Sequence, residues 1–206
     1  MVTANNFLDE IKTLVPRITF RRPSSIKNPT YLAFSDASQG KTSYGQTGYL
    51  SGLYLPSGGD GVYHVIDWYS GKQARVSFSA IGAEILAAAT SADRGSLMAD
   101  RLKQIYNAKD RISFILTVDS HGLYSTITTL HEGADYRLRP TVSRLRDSFE
   151  NGEIDHMQWI AGTKNLADAL TKRNLSMFRQ RNEVMKEGLM RAERFEHAKR
   201  VSFNEN

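Results

Sequence analysis

The chain has 206 residues, 40% hydrophobic and 24% charged, with a net charge of +5 and no cysteine. That composition belongs to a folded protein of about one domain with extensions. It excludes disulfides, thiolate zinc sites and cysteine nucleophiles, and leaves carboxylates as the ligands for any hard cation such as Mg²⁺ or Mn²⁺. No apolar run approaches the ~20 residues that span a bilayer, and the N-terminus lacks the basic start and apolar stretch of a secretory signal. The expected setting is therefore cytoplasmic or nuclear, without membrane association or secretion. The charge is uneven. Residues 1–171 carry 18 Lys/Arg against 17 Asp/Glu, and residues 172–206 carry 9 against 5. A basic tail suits a polyanionic partner and equally an ordinary soluble surface.

In chain order, residues 1–27 read as a short amphipathic helix (Phe7, Leu8, Ile11, Leu14, Val15) and a proline-punctuated linker, a pattern that suits the end of an upstream domain. Three strands follow, Tyr31–Asp36, Gln46–Leu55 and Val62–Trp68, with short connections that imply an antiparallel meander. Residues 79–106 have apolar positions at helical spacing, with Ser79 as N-cap and Gly95 as a weak point that could divide the helix. Arg111–Asp119 is a nearly continuous apolar run, the mark of a buried parallel strand. A short helix (Leu123–His131) and a second one (Tyr136–Glu150, stopped by Asn151-Gly152) precede a fifth strand, Ile154–Ile160. A last helix starts at Asn165–Lys172, and residues 176–206 read as a basic helical extension. The order predicts an α/β fold: a mixed five-stranded sheet, three antiparallel strands then two parallel, with helices on both faces.

Four carboxylates stand at the ends of these elements. Asp36 and Asp119 close the first and fourth strands, which meet at their C-terminal ends if they are parallel neighbours. Glu84 lies on or beside the core-facing stripe of its helix. Asp168 is near the first turn of the last helix. Each has an ordinary explanation alone: a turn residue, an amphipathic edge, an N-cap and a dipole-complementing acid. Together they suggest a divalent-metal site, and beside a basic surface such a site suggests phosphodiester chemistry.

The segments Tyr31-Leu-Ala-Phe-Ser-Asp36-Ala, Thr47-Gly-Tyr-Leu-Ser-Gly52, Val76-Ser-Phe-Ser-Ala-Ile-Gly-Ala-Glu84, Val118-Asp119-Ser120, Asn151-Gly-Glu-Ile154 and Asn165-Leu-Ala-Asp168-Ala-Leu-Thr-Lys172 carry a resemblance. In order and spacing, the chain resembles the ribonuclease H domain at the C-terminal end of copia-type LTR retrotransposon polyproteins, over residues 28–175. The last segment is the most distinctive.

The resemblance implies a ribonuclease H-like fold and hydrolysis of the RNA strand of RNA–DNA hybrids with two Mg²⁺ or Mn²⁺ ions. It also implies a reverse transcriptase domain of the same polyprotein as partner, and a virus-like particle or the nucleus as setting. By it, Asp36 bridges both ions. Asp119 and Glu84 complete one site, with Glu84 near the attacked strand's 2′-hydroxyl, and Asp168 completes the other. The mobile histidine that many cellular ribonucleases H carry before the final helix has no counterpart in Ala161–Asn165.

Candidate substrate contacts are Ser38, Gln39, Lys41, Ser120, His121 and Asn165. Arg137, Arg139, Arg144 and Arg146, expected on one helix, form either a track for the DNA strand or a solvated face. The rival readings are a weakly catalytic ribonuclease H-like module that binds nucleic acid or a partner, and a junction nuclease of the resolvase or integrase kind.

Overall fold

The computed structural model describes residues 17–22, 29–39, 45–56, 61–106, 112–129, 135–172, 175–195 and 199–202. The expected helix within residues 1–15 and the candidate contact Lys41 lie outside them. Strands β1 (Thr30–Ser38), β2 (Gln46–Leu55) and β3 (Gly61–Lys72) form the antiparallel meander. Helix α1 (Ala80–Tyr106) leads to β4 (Ser113–Val118), which pairs parallel with β1. Helices α2 (His121–Thr128) and α3 (Arg139–Glu150) precede β5 (His156–Trp159), parallel to β4. Then come the single turn α4 (Asp168–Thr171), helix α5 (Leu175–Glu187), and strands β6 (Leu189–Met190) and β7 (Lys199–Ser202).

Among the described residues the sheet has seven strands in the order β6-β3-β2-β1-β4-β5-β7. Its five inner strands are those expected. The two outer ones come from the tail, which is a helix followed by strand pieces rather than helical throughout. The expected last helix is likewise divided, into α4 and α5, and a separate 3-10 turn at Gly162–Lys164 precedes it.

Alternation along β1 explains why both faces are covered. Tyr31 and Ala33 face one way, into a core with Ile85, Ala88 and Ala92 of α1, Leu123 of α2 and Phe149 of α3. Leu32 and Phe34 face the other way, into a core with Leu166, Leu170 and Val184 from the α4–α5 side. Gly95 does not divide α1. A Cβ there would lie 2.2 Å from the Phe114 ring, so the glycine lets the helix pass close over β4. Ser79 caps α1 as expected, its hydroxyl accepting from the Gly82 amide at 3.0 Å. The turn after α3 needs Gly152, whose φ is 68°.

Candidate metal centre

β1 outruns its parallel partner. Its last pair with β4 is Phe34↔Thr117, while β1 continues to Ser38 against β2. Asp36 therefore sits inside β1 rather than at its end, paired with Gly48 and fully buried. Asp119 is the first residue past β4, and the Trp159 indole N–H holds its backbone carbonyl at 2.9 Å. Glu84 arrives from α1, whose first turns lie close against the end of β1, where the small side chains of Ala37, Ala83 and Ala87 pack together. The Gln73 side chain fixes that turn by donating to the Ala83 carbonyl at 2.7 Å.

Carboxylate oxygens of Asp36, Glu84 and Asp119 all lie within 4.8 Å of one another. Asp168 joins the group through a cation. Lys172 Nζ is 3.2 Å from Asp36 Oδ1 and 2.5 Å from Asp168 Oδ1. The Thr171 hydroxyl donates to Asp36 Oδ2. Gly48 allows this approach, since a Cβ there would lie 2.7 Å from the Thr171 methyl and 2.9 Å from Leu170 Cβ. The Gln46 amide and the Ser70 hydroxyl both donate to the Leu170 carbonyl, at 2.8 and 2.6 Å, and so pin α4 to the meander.

The electrostatics follow from burial and crowding. Burial, then the charges of Asp36 and Asp119, push Glu84 up to about 8, against the opposing pull of Lys172 and the Ala37 amide. Burial and the Asp36 charge push Asp119 up to about 6, with Lys172 and the Asn165 amide acting the other way. Burial raises Asp36 as well, although the Thr171 hydrogen bond and Lys172 favour its charged form. Burial disfavours the charge on Lys172, but its bond to Asp168 and the charge of Asp36 more than offset this and hold its pKa above the ordinary lysine range. Glu84 Oε2 is buried with no hydrogen-bond partner among the described residues. The cluster is thus short of positive charge and has an acceptor to spare.

The expected substrate contacts fall into different places. Ser38 is partly buried at the end of β1, and Gln39 is exposed just beyond it. Ser120, rather than Asp119, is the N-cap of α2, its hydroxyl accepting from the Leu123 amide at 3.2 Å. His121 is exposed on the first turn of α2, its ring edge-on to Trp159 at 6.0 Å and 3.4 Å from the Ser125 hydroxyl. Asn165 is fully buried. Its amide donates to the Ser35 carbonyl at 2.9 Å and its carbonyl accepts from the Ala167 amide at 3.1 Å. It braces the loop to β1 and is enclosed by protein.

The four arginines do not share one helix. Arg137 lies in a 3-10 turn (Tyr136–Leu138) before α3, and α3 carries the other three. Arg144 pairs with Glu153 at 3.0 Å, and Arg146 donates to the Thr126 and Thr129 carbonyls at 2.6 Å. Lys172 and Thr171 are the contributors not expected from sequence. The i,i+4 spacing of Asp168 and Lys172 is the signal for half of the bridge. The other half spans 136 positions.

No protein-family profile and no curated protein matches the sequence. Solved structures do match in three dimensions. LC11-RNase H1, isolated from a compost metagenome, aligns with a TM-score of 0.50 at 14% identity, covering 73% of this chain and 97% of its own. RNase H1 of Halobacterium salinarum aligns at 0.49 and 16%, covering 77% and 98%. The N-terminal RNase H domain of Rv2228c from Mycobacterium tuberculosis aligns at 0.46 and 12%, covering 77% and 96%. The strand order, the helices on both faces and the near-complete coverage of LC11-RNase H1 together make this a ribonuclease H-like fold.

Proposed function

We propose that the chain is a divalent-metal-dependent endonuclease that hydrolyses the RNA strand of RNA–DNA hybrids. It would do so for a copia-type retroelement, beside a reverse transcriptase domain of the same polyprotein, in a virus-like particle or the nucleus. The observation that carries the reading is the convergence of Asp36, Glu84 and Asp119 within 4.8 Å on a ribonuclease H-like fold.

The residues fit a hard cation. All the donors are carboxylate oxygens, one of them, Glu84 Oε2, is buried and unpaired, and Glu84 and Asp119 carry raised pKa values that a nearby cation would relieve. Asp36, Glu84 and Asp119 would hold one Mg²⁺ or Mn²⁺ and Asp36 with Asp168 a second. A bound pair would supply activation of the attacking water and stabilisation of the leaving 3′ oxygen. The protein's part is placement. Trp159 fixes the Asp119 backbone, Thr171 fixes the Asp36 carboxylate, and Asn165 ties the loop before α4 to β1. Glu84 is set to accept from a substrate hydroxyl, and a 2′-hydroxyl there would distinguish RNA from DNA. Ser38, Gln39, Lys41 and His121 are proposed to grip the backbone.

The test is cleavage of a labelled RNA–DNA hybrid by the full chain in Mg²⁺ or Mn²⁺. Cleavage should require metal and fall by at least ~100-fold in Asp119→Asn, the scale of loss when a positioned catalytic group is removed. Activity that survives the substitution would overturn the reading. A second reading, a hybrid-binding module with weak turnover, draws on the Lys172 bridge between Asp36 and Asp168. Salt-dependent binding of the hybrid without metal-dependent cleavage would select it.

A further inference from the structure

Lys172 lies where the second cation of the proposed reaction would be needed. Its ammonium touches one oxygen of Asp36 and one of Asp168. Asp36 is fully buried and its other oxygen is engaged by Thr171, so Asp36 cannot turn away to open the gap. Asp168 is also buried. The mobile partner is the lysine. Its side chain is 45% exposed, and its flexible four-carbon stem can swing into solvent. Its backbone would stay in place during such a swing, because the Lys172 amide donates to the Asp168 carbonyl at 3.0 Å. An ammonium and a divalent ion cannot both fill the space between the same two carboxylates, since like charges at contact distance repel.

We propose that Lys172 is the resident occupant of the Asp36–Asp168 cation position, so that divalent ions enter the centre in sequence. The first is held by Asp36, Glu84 and Asp119 with the lysine in place. The second enters between Asp36 and Asp168 only after Lys172 has swung out, as a bound phosphate backbone would draw it to do. The proposal rests on the metal-centre reading above. It makes Lys172 a positioning residue that keeps the two buried carboxylates aimed at one another while the second position awaits its ion.

The test is Mn²⁺ binding to the full chain without nucleic acid, followed by calorimetry and by electron paramagnetic resonance. Wild type should bind one ion with the spectrum of an isolated Mn²⁺. Lys172→Met should bind a second ion at least about tenfold more tightly than wild type, with the spectrum of a coupled pair. Lys172→Arg, which keeps the charge, should behave as wild type and so separates charge from side-chain volume. Circular dichroism and thermal unfolding of each variant verify the fold, and Lys172→Gln replaces any Met variant that fails this check. A coupled pair in wild type, an isolated ion in a folded Lys172→Met or Lys172→Gln, or a coupled pair in Lys172→Arg would each overturn the proposal while leaving the metal centre standing. Absence of Mn²⁺ binding in every variant would overturn both.

Discussion

Glu84 shows what the fold has done to its acidic residues. In an unfolded chain its carboxyl has the ordinary value of 4.5, and in the folded one it is pushed up to about 8 by burial and by the charges of Asp36 and Asp119. A folded state that holds its proton more tightly than the unfolded state gains stability at low pH and loses it as pH rises. The metal-free protein should therefore lose stability as pH rises, first through about 6 as Asp119 ionises and then through about 8 as Glu84 follows. Glu84→Gln mimics the protonated acid. In EDTA it should match wild type below the ordinary carboxyl value of 4.5 and melt about 3 °C higher above pH 8, while Mn²⁺ should raise the wild-type melting temperature and spare the variant. Thermal unfolding across the pH range checks both. Asn165 makes a different prediction. Asn165→Ala strands the buried Ser35 carbonyl and Ala167 amide, and should cost about 1–3 kcal/mol in urea unfolding. Sequence exposed the acids through their places at element ends and on the α1 stripe. It hid the work of Asn165 and Lys172, whose partners lie 130 and 136 positions away.

The elements were legible where their periodicity was long. The period-two and continuous apolar patterns of the inner strands survive in the structure, with β2 running from Gln46 to Leu55 as expected. Glycine misled, because local propensity registers only its cost to a helix, roughly 1 kcal/mol relative to alanine. At Gly95 the tertiary contact prevails. Phe114 is 1% exposed and cannot retreat from a methyl group placed 2.2 Å from its ring. Gly95→Ala should thus destabilise the protein by about 1–3 kcal/mol, despite the gain in helix propensity, as measured by chemical denaturation. The pair Gly95→Ala with Phe114→Leu should recover much of the loss. If the single change stabilises the protein, α1 and β4 are not packed as closely as described.

At the scale of the whole molecule the tail belongs to the sheet. β6 extends the β3 edge and β7 extends the β5 edge, while residues 17–22 lie on the β3 side, with the Thr19 amide donating to the Met185 carbonyl of α5 at 2.8 Å and Phe20 edge-on to His64 of β3 at 5.4 Å. Strands of two and four residues are too short for alternation to register, which is why the tail's charges and scattered apolar residues read as helix. The β7 edge bears on the metal centre through a short chain of contacts. β7 pairs with β5 from His156↔Ser202 to Trp159↔Lys199, and Trp159 is the residue that holds the Asp119 carbonyl. Removing residues 196–206 would leave β5 as an open edge and free one side of Trp159. The truncated chain should melt about 5 °C lower. Its β5 amides should exchange with deuterium far faster than those of β1, which keeps partners on both sides. Its first Mn²⁺ should bind several-fold more weakly, because Asp119 has lost a fixed anchor. Unchanged exchange at β5 would mean that β7 does not seal that edge, and unchanged Mn²⁺ affinity alongside fast exchange would mean that Trp159 holds Asp119 without help from the tail.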